Sequence, residues 1–258
     1  MTQNIHPTAY IADPASLGAN VSIGPFAVIE ANTKIGDHCK IGAHAVVRPY
    51  TKMGTGNVLH AHVVLGDTPQ DTSFDETTIT WLEIGNDNTF REGFTAHRGS
   101  TENAVTRIGS NCFFMNNSHV AHDCQIGNHT IFANNVAIGG FVQIDDHVFM
   151  GGTVVAHQFC RIGSYVIVQG TTGLNKDVIP FCLIAGYPAK HYRLNTIGLK
   201  RAGITGDRYK VIATAFRLLR KNESIEHLEE TEEIKYLKEW LAVKSKRGVH
   251  GFVELGGR

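Results

Sequence analysis

Aliphatic residues recur every six positions along most of this chain. From Leu17 the series runs through Ile23, Ile29, Ile35, Ile41, Val47, Met53 and Leu59 to Leu65. It returns at Ile84 and Phe90, and from Ile108 it continues through Phe114, Val120, Ile126, Phe132, Ile138, Ile144, Met150, Ala156, Ile162 and Val168 to Leu174. Such a period fits neither the helical repeat of about 3.6 residues nor strand alternation. It fits a parallel β-helix in which three short strands complete an 18-residue turn, each hexad forming one face of a three-sided prism. The repeating residue then points inward and stacks on its equivalents in the coils above and below. The small residue after it, as in "IGD", "IGA", "IGN" and "IGS", is expected to let the chain bend at the corner.

Two polar segments interrupt the repeat, at about 67–81 and 97–106, and loops projecting from a rigid coil are where ligand contacts concentrate. The coil is expected to occupy residues 1–190. Beyond it, 208–222 and 224–244 carry apolar residues at helical spacing, such as Ile212, Phe216 and Leu219, so 191–258 reads as a C-terminal helical region. Lys, Arg, Asp and Glu give 10 − 15 = −5 for residues 1–190 and 14 − 9 = +5 for 191–258. The basic tail suits either an acidic macromolecular partner or a solvated helix face. Cys39, Cys112, Cys124 and Cys160 share the fifth position of their hexads, and with Cys182 they make an odd number lacking any Cys-x-x-Cys pair. Buried free thiols are expected, not a disulfide framework or a thiolate zinc site. With no apolar run of membrane-spanning length and no secretory signal at the start, a cytoplasmic location and no stable membrane insertion are expected.

The register also organises the histidine-rich stretch "NNSHVAHDC" (116–124). One turn above His122 lies Gly140 and then Gln158; above Ala121 lie Gly139 and His157; above Asp123 lie Phe141 and Phe159. A histidine one coil, about 4.8 Å, from a glycine backbone combines a general base with an unshielded N–H for a developing oxyanion. Asp123 is placed to fix the imidazole tautomer and stabilise the imidazolium. This pattern points to acyl transfer without a serine or cysteine nucleophile. Alternatively, His97, His119 and His122 would supply a zinc triad between subunits, or the solenoid would be purely structural. A three-sided prism with apolar and histidine-rich faces packs as a parallel homotrimer, whose sites draw on two subunits.

The segments "HPTA", "GANVSIGPFAVI", "TAHRGS", "NNSHVAHDCQIGN", "ANNVAIGG", "AHQFCRIG" and "NTIGLKRAG" together resemble the UDP-N-acetylglucosamine acyltransferases, over nearly the whole chain. The resemblance implies a left-handed parallel β-helix of hexapeptide repeats with a C-terminal α-helical region. It also implies transfer of a 3-hydroxyacyl group from acyl carrier protein to the 3-position of UDP-N-acetylglucosamine, the first step of lipid A biosynthesis. No cofactor, metal or nucleic acid is implied. Carried over by motif, His122 is the general base, Asp123 its orienting partner and the Gly140 N–H the oxyanion donor. Acceptor contacts fall to Asp71, His97, His119, His157, Gln158, Asn195 and Arg201. Gly170 matches the position that limits acyl-chain length, and a glycine leaves the groove open, although Gln169 and Tyr187 beside it are bulky. Arg217, Arg220 and Lys221 would dock the acidic carrier protein. The chain departs from the family at Phe141, where the family has a histidine near the substrate. That opens the 3-amino analogue of the sugar, or another acyl group, as alternatives.

Overall fold

A computed structural model describes residues 4–254. Its short strands form three sheets of 11, 9 and 7 strands, here called the first, second and third faces. Successive coils pair in parallel, as in Ser22↔Lys40, Val46↔Val64 and Gln125↔Gln143, each an 18-residue step. The result is the left-handed parallel β-helix. The inward column is buried as the period requires: Ile29, Val47, Leu65, Phe114, Phe132 and Val168 have no exposed surface. In the middle coils phenylalanines replace aliphatics, and Phe90 and Phe114 stack at 5.2 Å. Removing one such ring would cost about 3–5 kcal/mol.

The corners are built differently from the sequence expectation. The chain turns not at the glycine after the aliphatic residue but two residues later, where non-glycine residues adopt left-handed φ: Phe26 at 57°, His44 at 57°, Asp123 at 60° and Phe141 at 60°. Each such residue costs roughly 1–2 kcal/mol relative to a right-handed conformation. The cost is offset because the corner N–H donates to the coil below, as Phe141 does to the His122 carbonyl at 3.1 Å and Phe159 to the Gly140 carbonyl at 3.1 Å. The glycines of the third face serve close approach instead. A Cβ on Gly109 would lie 2.8 Å from the carbonyl carbon of Gly127, and one on Gly127 would lie 2.7 Å from that of Asp145.

All five cysteines are buried and free. The Sγ atoms of Cys39, Cys112 and Cys124 each donate to a glycine carbonyl of the next coil, at 3.2 Å. Asn57 and Asn88 occupy the same column and bond in the same direction, to the Gly85 and Gly109 carbonyls. At these sites the fifth hexad position carries small donors that tie one coil to the next, whereas Val63, Val136 and Val142 at the same hexad position only fill the core.

The last strands, Cys182–Gly186 and Ala189–Leu194, form an antiparallel hairpin on the first face. The sheet thus extends four residues past position 190. Three helices follow: α1 (Thr196–Arg201), α2 (Gly206–Arg220) and α3 (Glu232–Ala242). The stretch 224–231, part of the expected second helix, is not helical. Its sequence delays the start until Thr231, whose side chain caps α3 by accepting from the Ile234 N–H. Ile234, Leu237 and Trp240 are buried, and the Tyr236 hydroxyl donates to Asp145 at 2.5 Å, fixing α3 to the third face.

The chain then returns to the coil. Asp177 and His191 exchange backbone hydrogen bonds with Gly248, His250, Gly251 and Val253. Two buried imidazoles act as acceptors here, His191 Nε2 from the Ile179 N–H and His250 Nε2 from the Lys176 N–H. Burial first, and then the charge of Lys176, pushes His250 down to about 4; burial, and then His250, pushes His191 down to about 3. A folded-state value below the ordinary 6.5 means that these groups stabilise the fold fully above that pH. The contribution is lost as pH falls from there toward 4. The melting temperature of a His250→Gln variant is accordingly expected to depend less steeply on pH over this acid window than that of the wild type.

Candidate active site

His119–Val120 is a strand of the second face and Gln125–Ile126 one of the third, so His122 and Asp123 occupy the corner between them. Both irregular insertions emerge at this same corner. One, residues 68–80, follows the second-face strand Val64–Asp67, and the other, 98–104, follows Thr95–His97. The loops therefore overhang the coil that carries the histidines.

His122 and Asp123 are mostly buried, with side chains 14% and 9% exposed. Asp123 Oδ2 lies 2.8 Å from His122 Nδ1. An ionised carboxylate can only accept, so Nδ1 carries the proton and Nε2 is left free as a base. Asp123 also accepts from the Ser100 N–H, at 3.1 Å. Burial acts to raise this carboxyl, but the bonds from His122 and Ser100 outweigh it and hold Asp123 below the ordinary carboxylate range. The Asp123 N–H donates to Thr106 Oγ1 at 2.7 Å, because the second loop displaces the regular corner acceptor. Ser100 and Thr106 were not legible as site residues: one lies inside a loop without period, the other 17 residues before its partner, out of register.

Above His122 the register holds. A Cβ on Gly140 would lie 2.6 Å from His122 Cε1 and 2.8 Å from Nε2, so only a glycine leaves space for the imidazole. Among the described residues no acceptor pairs with the Gly140 N–H, whereas the Gly139 N–H is taken by the Ala156 carbonyl. Gln158 and His157 follow one coil higher, both exposed.

His97 and His119 stand beside this corner with ring centroids 4.8 Å apart and nearly perpendicular. His119 Nδ1 is 2.7 Å from Thr95 Oγ1, and His97 Nδ1 is buried without a partner. Burial, reinforced by His97 and His122, pushes His119 down to about 4. Burial also lowers His97, against Asp67 and with His122. Both are therefore neutral near pH 7. Asp71, on the first loop, accepts from the Ser73 N–H and hydroxyl; these bonds, with a smaller effect from His122, hold it below the carboxylate range. Among the described residues no three His, Cys, Asp or Glu side chains converge in a metal-holding group. Within one chain His97, His119 and His122 thus do not make a three-histidine metal group.

The remaining expected residues lie elsewhere. Asn195 caps α1: its Oδ1 accepts from the Gly198 N–H at 2.9 Å and its Nδ2 donates to the Tyr165 carbonyl at 2.8 Å. It borders, with Arg201, His129, His147 and Tyr165, a cavity of about 560 Å³ at the corner between the third and first faces. Gly170 sits at the corner between the first and second faces, against the Gly152 backbone. His122, Asn195 and Gly170 thus occupy three different corners of one prism. Of the basic tail residues, Arg220 donates to the Tyr192 carbonyl at 2.6 Å, whereas Arg217 and Lys221 are exposed.

The hexads and the left-handed β-helix they build place the chain among the hexapeptide-repeat transferases. Residues 32–67 and 106–140 match the model described as bacterial transferase hexapeptide, and residues 177–250 match that of UDP-N-acetylglucosamine O-acyltransferase, domain 2. The acyl-[acyl-carrier-protein]–UDP-N-acetylglucosamine O-acyltransferase of a Sulfurihydrogenibium species is 53% identical over 255 residues, covering 95% of this chain and 93% of that protein. The protein of the same description from a Psychrobacter species is 45% identical, covering 86% and 85%. The UDP-N-acetylglucosamine acyltransferase structure from Bacteroides fragilis matches with a TM-score of 0.88 at 33% identity, covering 95% of this chain and 98% of that one. That from Campylobacter jejuni matches at 0.84 and 30%, covering 97% and 100%. The chain belongs to the acyl-[acyl-carrier-protein]–UDP-N-acetylglucosamine O-acyltransferase family.

Because a Cβ at position 140 would fall within the imidazole ring's contact distance, Gly140→Ala is expected to displace His122. The expected loss is about 100-fold in kcat, with a melting temperature close to wild type, measured by steady-state assay and calorimetry.

Proposed function

We propose that this chain transfers a 3-hydroxyacyl group from acyl carrier protein to the 3-hydroxyl of UDP-N-acetylglucosamine, the opening step of lipid A biosynthesis in the cytoplasm. The observation that carries the mechanism is the arrangement at one corner: Asp123 on His122 Nδ1, a free Nε2, and the unpaired Gly140 N–H directly above. His122 Nε2 takes the proton of the sugar hydroxyl as its oxygen attacks the thioester carbonyl carbon. The carbonyl oxygen becomes an oxyanion facing the Gly140 N–H. Collapse of this intermediate forms the ester, breaks the carbon–sulfur bond, and returns the proton from His122 to the departing thiolate. Asp123 stabilises the imidazolium between these steps.

A covalent acyl-enzyme through sulfur has no support. Cys124, adjacent to Asp123 in sequence, points into the coil, and burial pushes its thiol up to about 12.

The acceptor contacts proposed are Asp71, His97, His119, His157 and Gln158 from the His122 corner. Asn195 and Arg201 sit at a different corner, and a homotrimer would bring them alongside the His122 corner of a neighbour. In such an assembly the first face of one copy lies against the second face of the next. The Asn195 side chain is committed to capping α1, so its contribution is to place that turn and Arg201. Gly170 faces only the Gly152 backbone, which supports an open groove for a long acyl chain. Residues 191–258 are proposed as the region that meets the carrier protein, through Arg217 and Lys221. No helix among the described residues is long and apolar enough to cross a membrane.

The test incubates the protein with carrier-bound 3-hydroxyacyl groups of several lengths and with both the 3-hydroxy and the 3-amino UDP-sugar. Wild type is expected to acylate the 3-hydroxy sugar, and His122→Ala to lose about 10²–10⁴-fold in kcat. Acylation of neither sugar, or full activity in His122→Ala, overturns the reading. Acylation of the amino sugar alone reassigns the acceptor.

A further inference from the structure

Phe141 is not used by the mechanism above, yet it touches the proposed base. Its ring meets the His122 imidazole edge-to-face, with centroids 5.3 Å apart and planes at 88°. Behind it Phe159, one coil higher, stacks in parallel at 4.8 Å and 17°. Lys246 closes the series with its Nζ 4.6 Å from the Phe159 ring centroid. The column runs from the C-terminal segment to the corner histidine, and a cavity of about 240 Å³ lies along it, lined by Asp123, Phe141, Phe159, Arg161, Lys244 and Lys246.

The segment bearing Lys246 is held at both ends. Arg161 Nη2 donates to the Val243 carbonyl at 3.1 Å and Nη1 to the Trp240 carbonyl at 3.3 Å. Arg161 is itself fixed by buried Asp177, whose Oδ2 accepts from Nε at 2.8 Å. On the other side Arg247 Nε donates to the Asn175 carbonyl at 3.2 Å, and the Gly248 carbonyl accepts from the Asp177 N–H at 2.8 Å. Residues 243–248 therefore form a strap across the third face. Among the described residues Lys246 has no carboxylate partner, and its ammonium group lies over the aromatic face.

We infer that Phe141, backed by Phe159 and by Lys246 of the C-terminal strap, is a positioning residue that fixes the plane of the His122 imidazole. The inference rests on the reading of His122 as the general base. An imidazole held by a single hydrogen bond at Nδ1 can still rock about its Cβ–Cγ bond. The Phe141 edge-to-face contact restricts this rotation and keeps Nε2 directed toward the Gly140 backbone. The strap thereby couples the C-terminal region to the reacting corner. The charged and titratable groups facing His122 are Asp123 from its own corner, Asp71 from the first loop, and His97 and His119 from the second face. Those facing Phe159 and Lys246 are Asp123, Arg161 and Lys244.

The test uses the full chain with Phe159→Leu, Lys246→Met and Lys246→Arg. Both targets lie behind Phe141, away from His122. Phe159→Leu is expected to lower kcat about tenfold with both KM values within about twofold, Lys246→Met to lower it about threefold, and Lys246→Arg to restore wild-type rates. A loosened Nδ1–Asp123 bond stabilises the imidazolium less, so the acid limb of the kcat profile should move to lower pH in the two impaired variants. The low-field proton resonance of His122 Nδ1–H should move upfield in parallel. Unchanged kcat, acid limb and resonance in Lys246→Met, whose exposed side chain does not threaten folding, overturn the inference, as do effects confined to KM. Full activity in His122→Ala would instead remove the base assignment, while the resonance would still report whether the strap sets the imidazole.

Discussion

Successive coils are joined by backbone hydrogen bonds that repeat every 18 residues, and this ladder governs the other features of the molecule. It brings each coil within one strand spacing of the next, about 4.8 Å. At that distance a side chain after the inward aliphatic residue collides with the neighbouring backbone on the third face, which is why Gly36, Gly54, Gly85, Gly109 and Gly127 align there. It also sets the chemistry of the fifth hexad position, where a thiol or a carboxamide can reach the next carbonyl. The cysteines are part of this tie, and their depressed acidity follows from the same burial.

The ladder also shapes the corner at His122, the proposed reacting site. It places a glycine above His122 and leaves its N–H unpaired among the described residues: third-position amides stay outside the backbone ladder, and where the Ser110 and Asn128 amides find a side-chain acceptor on the next coil, in Asn128 and Asp146, Gly140 has none. Rigidity at this point comes from three directions. Asp123 holds Nδ1 from within the same corner, Ser100 and Thr106 hold Asp123, and Phe141 meets the ring from the coil above. Neutral His97 and His119 add polar groups at the rim without adding repulsive charge at neutral pH. The homotrimeric site is proposed on this ground: His122, Asn195 and Gly170 lie at three different corners, and a single prism cannot fold its corners toward one another.

Much of this was legible because a strict period carries three-dimensional information. Once Val120, Ile138 and Ala156 are known to stack, the placing of His122 under Gly140 and Gln158, and of Asp123 under Phe141 and Phe159, follows by counting. Counting fails where the period lapses. Residues 68–80 and 98–104 have none, so neither Ser100 as a partner of Asp123 nor the emergence of both loops at one corner could be counted out. The place of the bend is not legible from the period either. Glycine was the obvious residue for it, yet Asn, Asp, His and even Phe adopt the left-handed conformation, because the corner N–H gains a hydrogen bond there.

The amino-acid sequence by itself determined the coil, its inward column and the vertical neighbours of His122, since each depends on a repeat that every coil reinforces. Only the tertiary structure decided what reaches those coils from outside the repeat: the loop amide that holds Asp123, the commitment of Asn195 to a helix cap, and the strap that lays Lys246 on Phe159. These contacts join positions far apart in the chain through single hydrogen bonds and ring faces. No periodic pattern encodes them, and they exist because Arg161, Asp177 and the last coil fix where the returning C-terminal segment must lie.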